Sequence, residues 1–359
     1  MSRSYLLTLL ILLSTLAFGQ KDEVAIGQWR IHLPYNNVAS IAETPSYLFI
    51  GAERGFYSFD KISGEMELYS KVNGFSDVEV KLLKYHAGLD LLLVAYENTN
   101  IDILQGSSIF NISDIDRKSI LGQKTINDIH FEGNLAYLSC SFGIVIIDLE
   151  RKAIKDSYLN IGPNGIPTAI NSVAFFKDTI FAATDLGLIK APKEGLNLSD
   201  FNSWEGPLPI DLSQNAKLLR VFGGEMFCEM DKLLRVYDGV RWRFKGDTIP
   251  NFKMETRSME ICHNHLVYVQ IPDSFRTIPA GIRVMDLDGN EKFVRDNVGN
   301  RFAILDFQNS IWTGGDNTGL VKIANKGDGP YSYARPNGPQ RSTSFSITPV
   351  NNEIWVAGG

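Results

Sequence analysis

Cysteine is scarce in this chain: Cys140, Cys228 and Cys262 are the full set in 359 residues. An odd number of thiols in separate repeats excludes a dense disulfide framework, and a chain of this length has core enough without covalent staples. The three read as small buried apolar side chains, with a Cys228–Cys262 bridge between adjacent repeats the one pairing left open. Positive charge is also in deficit, with 35 Lys and Arg against 41 Asp and Glu and a net charge of −6. No Lys/Arg-dense stripe offsets that balance, which argues against nucleic acid and against direct binding to an anionic membrane. Beyond the first twenty residues no run is long and apolar enough to cross a bilayer. A Gly-rich phosphate loop, a Ser nucleophile elbow and a Cys/His nucleophile signature are all missing, which favours binding over turnover.

What is present begins with an export signal. Arg3 supplies the positive start, Tyr5 to Leu13 an apolar stretch too short to span a membrane, and Ala17-Phe18-Gly19 a small-x-small cleavage site before Gln20. Residues 1–19 therefore read as a signal peptide. Its removal takes away one positive charge and turns −6 into −7. No Cys follows the cleavage site to accept a lipid, so the expectation is export to the periplasm or the cell surface.

The rest of the chain repeats one pattern seven times, with a period of about 43 residues, the spacing of propeller blades. Its onsets are Val38-Ala39-Ser40-Ile41, Val80-Lys81-Leu82-Leu83, Ile126-Asn127-Asp128-Ile129, Ile170-Asn171-Ser172-Val173, Ala216-Lys217-Leu218-Leu219, Met259-Glu260-Ile261 and Arg301-Phe302-Ala303-Ile304. An eighth begins at Ser344-Phe345-Ser346-Ile347. The second run of each repeat, such as Tyr47-Leu48-Phe49-Ile50-Gly51-Ala52 or Ile311-Trp312-Thr313-Gly314-Gly315, is β-branched and aromatic between Asn, Asp and Gly turns. Near-continuous apolarity fits a sheet covered on both faces. The fold predicted is all-β: a seven-bladed β-propeller of four-stranded antiparallel blades over residues 20–340, with 341–359 starting a further blade or a second propeller. Small residues at the ends of the second runs (Gly51, Ala95, Ala183, Gly314) are expected near the crowded axis. Trp29-Arg30-Ile31-His32 reads as an isolated outer strand that could be donated to the last blade to close the ring.

The connections between repeats carry the second pattern. Asn73-Gly74-Phe75-Ser76, Asn164-Gly165-Ile166-Pro167 and Asn337-Gly338-Pro339-Gln340 each precede an inner run, and Pro34-Tyr35-Asn36-Asn37 takes the same place before the first. Turn chemistry alone explains Asn-Gly there. As a recurring element these connections also line one face of the disc, so the candidate partner- or glycan-binding residues are Tyr35, Asn36, Asn73, Phe75, Asn164 and Asn337. Other clusters read as structure. His263-Asn264-His265 falls at a hairpin turn and lacks a third ligand. Asp286-Leu287-Asp288-Gly289-Asn290 has its Gly misplaced for a calcium loop and Asn297 at position twelve, so it too reads as a hairpin turn. Asp114 and Asp116 read as a solvated edge. No catalytic residue, metal site or cofactor is expected.

The repeat resembles a known family. Leu48-Phe49-Ile50-Gly51-Ala52-Glu53-Arg54-Gly55-Phe56-Tyr57, Ile180-Phe181-Ala182-Ala183-Thr184-Asp185-Leu186-Gly187-Leu188-Ile189 and Ile311-Trp312-Thr313-Gly314-Gly315-Asp316-Asn317-Thr318-Gly319-Leu320 are similar to the periplasmic two-component regulator propeller repeat. Within that group the opening Ile26-Gly27-Gln28-Trp29-Arg30-Ile31-His32-Leu33-Pro34-Tyr35 is most similar to the amino-terminal propeller of the PorZ family, surface components of the type IX secretion system of Bacteroidetes. The resemblance implies two propellers and a carboxy-terminal sorting domain. It also implies a role without catalysis in a sortase complex at the outer membrane, where cargo loses its sorting signal and gains anionic lipopolysaccharide that the protein helps to present. Against that pattern, a chain ending at Gly359 reads as a fragment. The function expected is thus a non-catalytic propeller scaffold of the type IX secretion and sortase attachment complex. Its partners would be the sortase, other surface components and lipopolysaccharide or glycan. The alternatives are a periplasmic glycan-sensing propeller of a hybrid two-component regulator, and a propeller glycosidase or lyase with acids converging on the axis.

Overall fold

The computed structural model describes residues 33–120, 122–208, 215–245, 253–272, 280–295, 299–315, 317–339, 344–350 and 353–358. The expected signal peptide and the Trp29–His32 run lie outside the described residues. Seven antiparallel sheets follow one another along the chain, each a meander in sequence order. The first holds β1–β4 (Val38–Glu43, Tyr47–Ala52, Gly55–Asp60, Met66–Tyr69), the second β5–β8 (Val80–His86, Leu91–Tyr96, Ile101–Gln105, Ser108–Ile112). The third holds β9–β12 (Ile126–Glu132, Leu135–Cys140, Gly143–Asp148, Ala153–Leu159), and the fourth β13–β15 (Ile170–Phe176, Thr179–Thr184, Gly187–Pro192). The fifth holds β16–β19 (Ala216–Phe222, Glu225–Met230, Leu233–Tyr237, Trp242–Phe244) and the sixth β20–β23 (Met254–Cys262, His265–Pro272, Gly281–Asp286, Glu291–Arg295). The seventh holds β24–β27 (Asn300–Leu305, Ile311–Gly315, Gly319–Ile323, Tyr331–Ala334). A separate hairpin, β28–β29 (Ser344–Val350, Glu353–Gly358), pairs at the eighth onset.

This is the seven-bladed β-propeller read from the repeats. Blade 4 departs from the four-strand pattern. Its outer place is held by an isolated bridge between Lys190 and Glu205, continued by Leu208 N–H donating to Leu188 O at 2.8 Å. Pro207 sits between them and has no N–H to give, which keeps the segment from becoming a full strand.

The first strand of each blade is innermost, and these strands contact one another around the axis, β24 with β1 included. Apolar side chains pack between blades in seven clusters, one for each neighbouring pair. Ile103, Ile129 and Leu138 join blades 2 and 3, and Val38, Ile50, Ile304 and Trp312 join blades 1 and 7. The second strands are therefore covered on both faces, as Leu91–Tyr96 shows by being buried at every position.

The small strand ends serve this packing rather than the axis. A Cβ on Gly51 would lie 2.5 Å from Val80 Cγ1 of blade 2, and one on Gly314 would lie 2.6 Å from Val38 Cβ of blade 1. Closure needs no donated strand to complete blade 7, whose four places are filled by consecutive β24–β27. The ring is joined instead by the shared cluster, by Gly319 N–H donating to Asn36 O at 2.8 Å and by an Arg301–Glu53 ion pair of 2.9 Å. Cys140, Cys228 and Cys262 are all free thiols, so the Cys228–Cys262 bridge is not formed. Cys140 and Cys228 are fully buried, where burial pushes their thiols far up.

Candidate functional site

In a four-strand meander the connection into the innermost strand and the turn between second and third strands share one face of the disc. Near the start of each innermost strand the pairing with its neighbour slips, between Val38 and Ser40, Val80 and Leu82, Ile126 and Asp128, Ile170 and Ser172, Ala216 and Leu219, Thr256 and Ser258, and Asn300 and Phe302. Such a bulge re-aims the unpaired side chain. Here it opens a depression of about 670 Å³ whose lining includes Lys81, Asn127, Asn171, Lys217, Arg257 and Arg301, one bulge residue from each of blades 2 to 7.

The two amides are structural clasps, since Asn127 Nδ2 donates to Ile170 O and Asn171 Nδ2 to Ala216 O, both at 2.9 Å. Of the four cations, Arg301 is held by Glu53 at 2.9 Å, which leaves Lys81, Lys217 and Arg257 for a ligand. Acidic side chains stand around them: Asp185 and Glu255 in the same depression, with Lys81–Glu97 at 3.5 Å and Lys217–Glu255 at 3.7 Å. Exposed pairs of this length hold their partners only weakly. Arg257 is exposed and has no ion-pair partner among the described residues.

One to three residues further along the same strands, up to roughly 10 Å deeper at the rise of a β-strand, charged side chains cross the axis. Arg220 of blade 5 grips Asp128 of blade 3 with two hydrogen bonds of 2.7 and 3.0 Å and reaches Glu260 of blade 6 at 3.3 Å. Lys84 of blade 2 pairs with the same Glu260. Ser172 donates to Asp128 and accepts from Leu219 N–H. Burial alone would raise the Asp128 carboxyl, but Arg220 reverses the sign and holds it below the usual carboxylate range. His130 beside them is pushed down to about 4, first by burial and then by the charge of Arg220. The mouth thus stands above a charge network that ties blades 2, 3, 5 and 6 across the axis.

The residues singled out in the connections fall elsewhere. Tyr35 and Phe75 are buried, at 1% and 4% exposure. Tyr35 packs edge-on to Tyr57 with ring centres 5.5 Å apart, and Phe75 edge-on to Phe56 at 5.0 Å. Their side chains staple a connection onto its blade and offer nothing to a partner. Asn36 is buried too, and its Oδ1 accepts from Arg335 at 3.2 Å.

Asn73, Asn164 and Asn337 are exposed, each in its own connection. Gly74 takes φ +93° after Asn73, and Asn164 and Gly165 take +58° and +74°, as turn chemistry requires. Asn337 and Gly338 take no positive φ. Gly338 is there for close approach, because a Cβ would lie 2.3 Å from Leu33 O.

The other clusters lie in turns as read. His263 and His265 flank the β20–β21 turn, and Asp286 accepts from the N–H groups of Asp288 and Asn290 in the β22–β23 turn. Asp114 and Asp116 lie in α1 (Asp114–Arg117), a single turn between blades 2 and 3. Among the described residues no group of three or more His, Cys, Asp or Glu could hold a metal. The bulge residues escaped the sequence reading, although the second letter of most onsets, Lys81, Asn127, Asn171 and Lys217, is polar in an otherwise apolar run.

The fold defines a seven-bladed β-propeller with a cation-lined axial mouth on one face. Residues 48–205 match the family model described as the TSS9 PorZ N-terminal beta-propeller domain. Over that stretch the chain is similar to the PorZ propeller family. Among solved structures it is similar to PorZ, described as an essential bacterial surface component of the type-IX secretion system of Porphyromonas gingivalis, at TM-score 0.76 and 18% identity over 93% of this chain and 43% of that one. It is also similar to the extracellular domain of a putative hybrid two component system from B. thetaiotaomicron, at TM-score 0.61 and 15% identity, covering 89% of this chain and 45% of that one. The chain spans less than half the length of either. A Cps50 (Swd1) propeller of Myceliophteria thermophila shares the fold at TM-score 0.56 and 9% identity, covering 82% of this chain and 98% of that one. No curated protein matches. Among the described residues no helix is long and apolar enough to cross a membrane.

Proposed function

We propose that this propeller is a non-catalytic scaffold of a cell-surface type IX secretion and sortase attachment complex. In that role it helps present anionic lipopolysaccharide to the step that anchors cargo. The observation that carries this reading is the match of residues 48–205 to the PorZ propeller family, a stretch that runs from β2 of blade 1 to the outer bridge of blade 4. The charge network across the axis supports a binding role over a catalytic one, because its carboxylates are already engaged by Arg220 and Lys84. The export signal at residues 1–19 fits a protein acting at the periplasm or outer surface. Deletion of the gene in its own host, followed by fractionation of cargo proteins, tests the reading. Loss of lipopolysaccharide-modified cargo from the surface, restored by the returned gene, is expected; unchanged anchoring refutes it.

A second reading, a glycan-sensing propeller of a hybrid two-component regulator, is favoured by the likeness to the extracellular domain from B. thetaiotaomicron. It predicts normal anchoring in the deletion strain and a lost transcriptional response to an extracellular glycan.

A further inference from the structure

The axial mouth carries its charges in an order. Cations from the bulges of four innermost strands, Lys81, Lys217, Arg257 and Arg301, line it, with Glu255 of the same strand as Arg257 beside Lys217. Acids stand beside or outside them, Glu53, Glu97 and Asp185 coming from the turns that follow the second strands. Field lines in such a depression focus a single negative group at the centre. A uniformly anionic polymer would bring its further charges onto that acidic surround and be repelled there. Among the described residues no aromatic side chain lines the depression, whose apolar lining includes Leu218, so none of them stacks on the face of a sugar.

A ligand that matches this pattern has one carboxylate at its centre and N–H donors or cations on either side. That is a short peptide segment with an isolated acidic residue. We propose that the mouth is a peptide-binding site that seats one carboxylate of a partner's chain between Lys217 and Arg257, with the flanking N–H groups and basic side chains of that segment turned to Asp185 and Glu255. The inference goes beyond the export role and stands or falls separately from it.

The test uses the purified chain and a fluorescein-labelled, C-terminally amidated Lys-Gly-Asp-Gly-Lys peptide, whose Asp is its sole carboxylate apart from the dye, with the Asp→Asn peptide carrying the same dye as reference. Fluorescence anisotropy at low salt is expected to show one saturable site, weakened roughly five- to tenfold in the Asn peptide and in Arg257→Ala. Arg257 is exposed and unpaired among the described residues, so its truncation leaves the fold in place. Lys217→Ala, checked by its melting curve, gives the same loss. Asp185→Lys weakens the Lys-flanked peptide and strengthens binding of polygalacturonate. Equal binding of the Asp and Asn peptides, or no change in Arg257→Ala, overturns the proposal. Polygalacturonate binding the unaltered chain more tightly than the peptide overturns it in favour of a polyanionic glycan.

Discussion

Replacing Arg220 by Leu tests the account of the axial network. Arg220 is buried and holds Asp128 through two hydrogen bonds and Glu260 through a third. Leu fills part of the volume but leaves Asp128 buried with one hydroxyl donor, Ser172, and Glu260 dependent on Lys84. Removing one partner of a buried ion pair costs about 3–5 kcal/mol. With unfolding entropy near 2.1 cal/mol/K per residue over roughly 300 ordered residues, that is a fall in Tm of about 5–8 °C.

The pH dependence separates this cause from simple loss of packing. In the native protein the folded Asp128 carboxyl lies below its unfolded value, so its stabilisation is present above the unfolded value and lost only as pH falls through the folded one. Without Arg220, burial dominates and lifts the folded carboxyl above the unfolded one. The variant then loses stability as pH rises through that lifted value. His130, held down to about 4, destabilises the native protein as pH falls from its unfolded value near 6.5 toward 4, and loss of Arg220 relieves part of that. Both effects narrow the gap between the two proteins on going from pH 8 to pH 5. Melting curves across that range provide the assay, and adding Asp128→Asn to Arg220→Leu should recover part of the loss. A gap below about 1 kcal/mol, or one that does not change with pH, would refute the buried network.

Phe75→Ala should destabilise by about 3–5 kcal/mol, as loss of a buried aromatic does, and a denaturant midpoint close to that of the native protein would contradict its place against Phe56. Gly314→Ala puts a Cβ 2.6 Å from Val38 Cβ at the joint between blades 7 and 1. Overpacking of this kind costs roughly 1–3 kcal/mol; Val38→Gly in the same chain removes that Cβ and should return part of it, and additive losses in the double-mutant cycle would sink the idea. Glu229 is fully buried, and burial pushes its carboxyl up to about 7. A raised acid loses stability as pH climbs through that value, so Glu229→Gln should stabilise by up to about 3 kcal/mol at pH 8 and change nothing at pH 5; equal effects at both would show that the carboxyl is solvated.

The mouth and the connections illustrate two kinds of surface on one face. The connections are held by their own aromatic residues, Tyr35 and Phe75, which point inward to fix a long segment over a blade. Among the bulge residues Asn127, Asn171 and Arg301 are tied to neighbouring blades, whereas Lys217 and Arg257 sit where the backbone leaves the ladder for one position and the side chain is released toward the mouth. A binding face built on strand bulges is rigid, because each bulge is anchored on both sides by paired strand. This favours recognition with little ordering cost.

Local chemistry alone settled the blade count and the strand chemistry of this protein. A strand is a short-range object, and a repeat such as Tyr47–Ala52 or Ile311–Gly315 carries its period, its turns and its apolar faces within a few residues. The hairpin nature of the His263-Asn264-His265 and Asp286–Asn290 segments was legible for the same reason.

Only the tertiary structure decided which side chains face a ligand. An aromatic residue in a connection, Phe75 for instance, has the same sequence surroundings whether it points out or into Phe56 and Tyr69. A one-residue bulge exists only relative to the strand it pairs with, so Lys217 and Arg257 could not be placed at the mouth from their own segments. Arg220 and Asp128 meet from positions 92 residues apart, and closing the ring through Gly314 and Val38 spans nearly the whole propeller. Those contacts depend on how many blades fit around one axis and at what tilt, a property of the assembled disc that no single repeat contains.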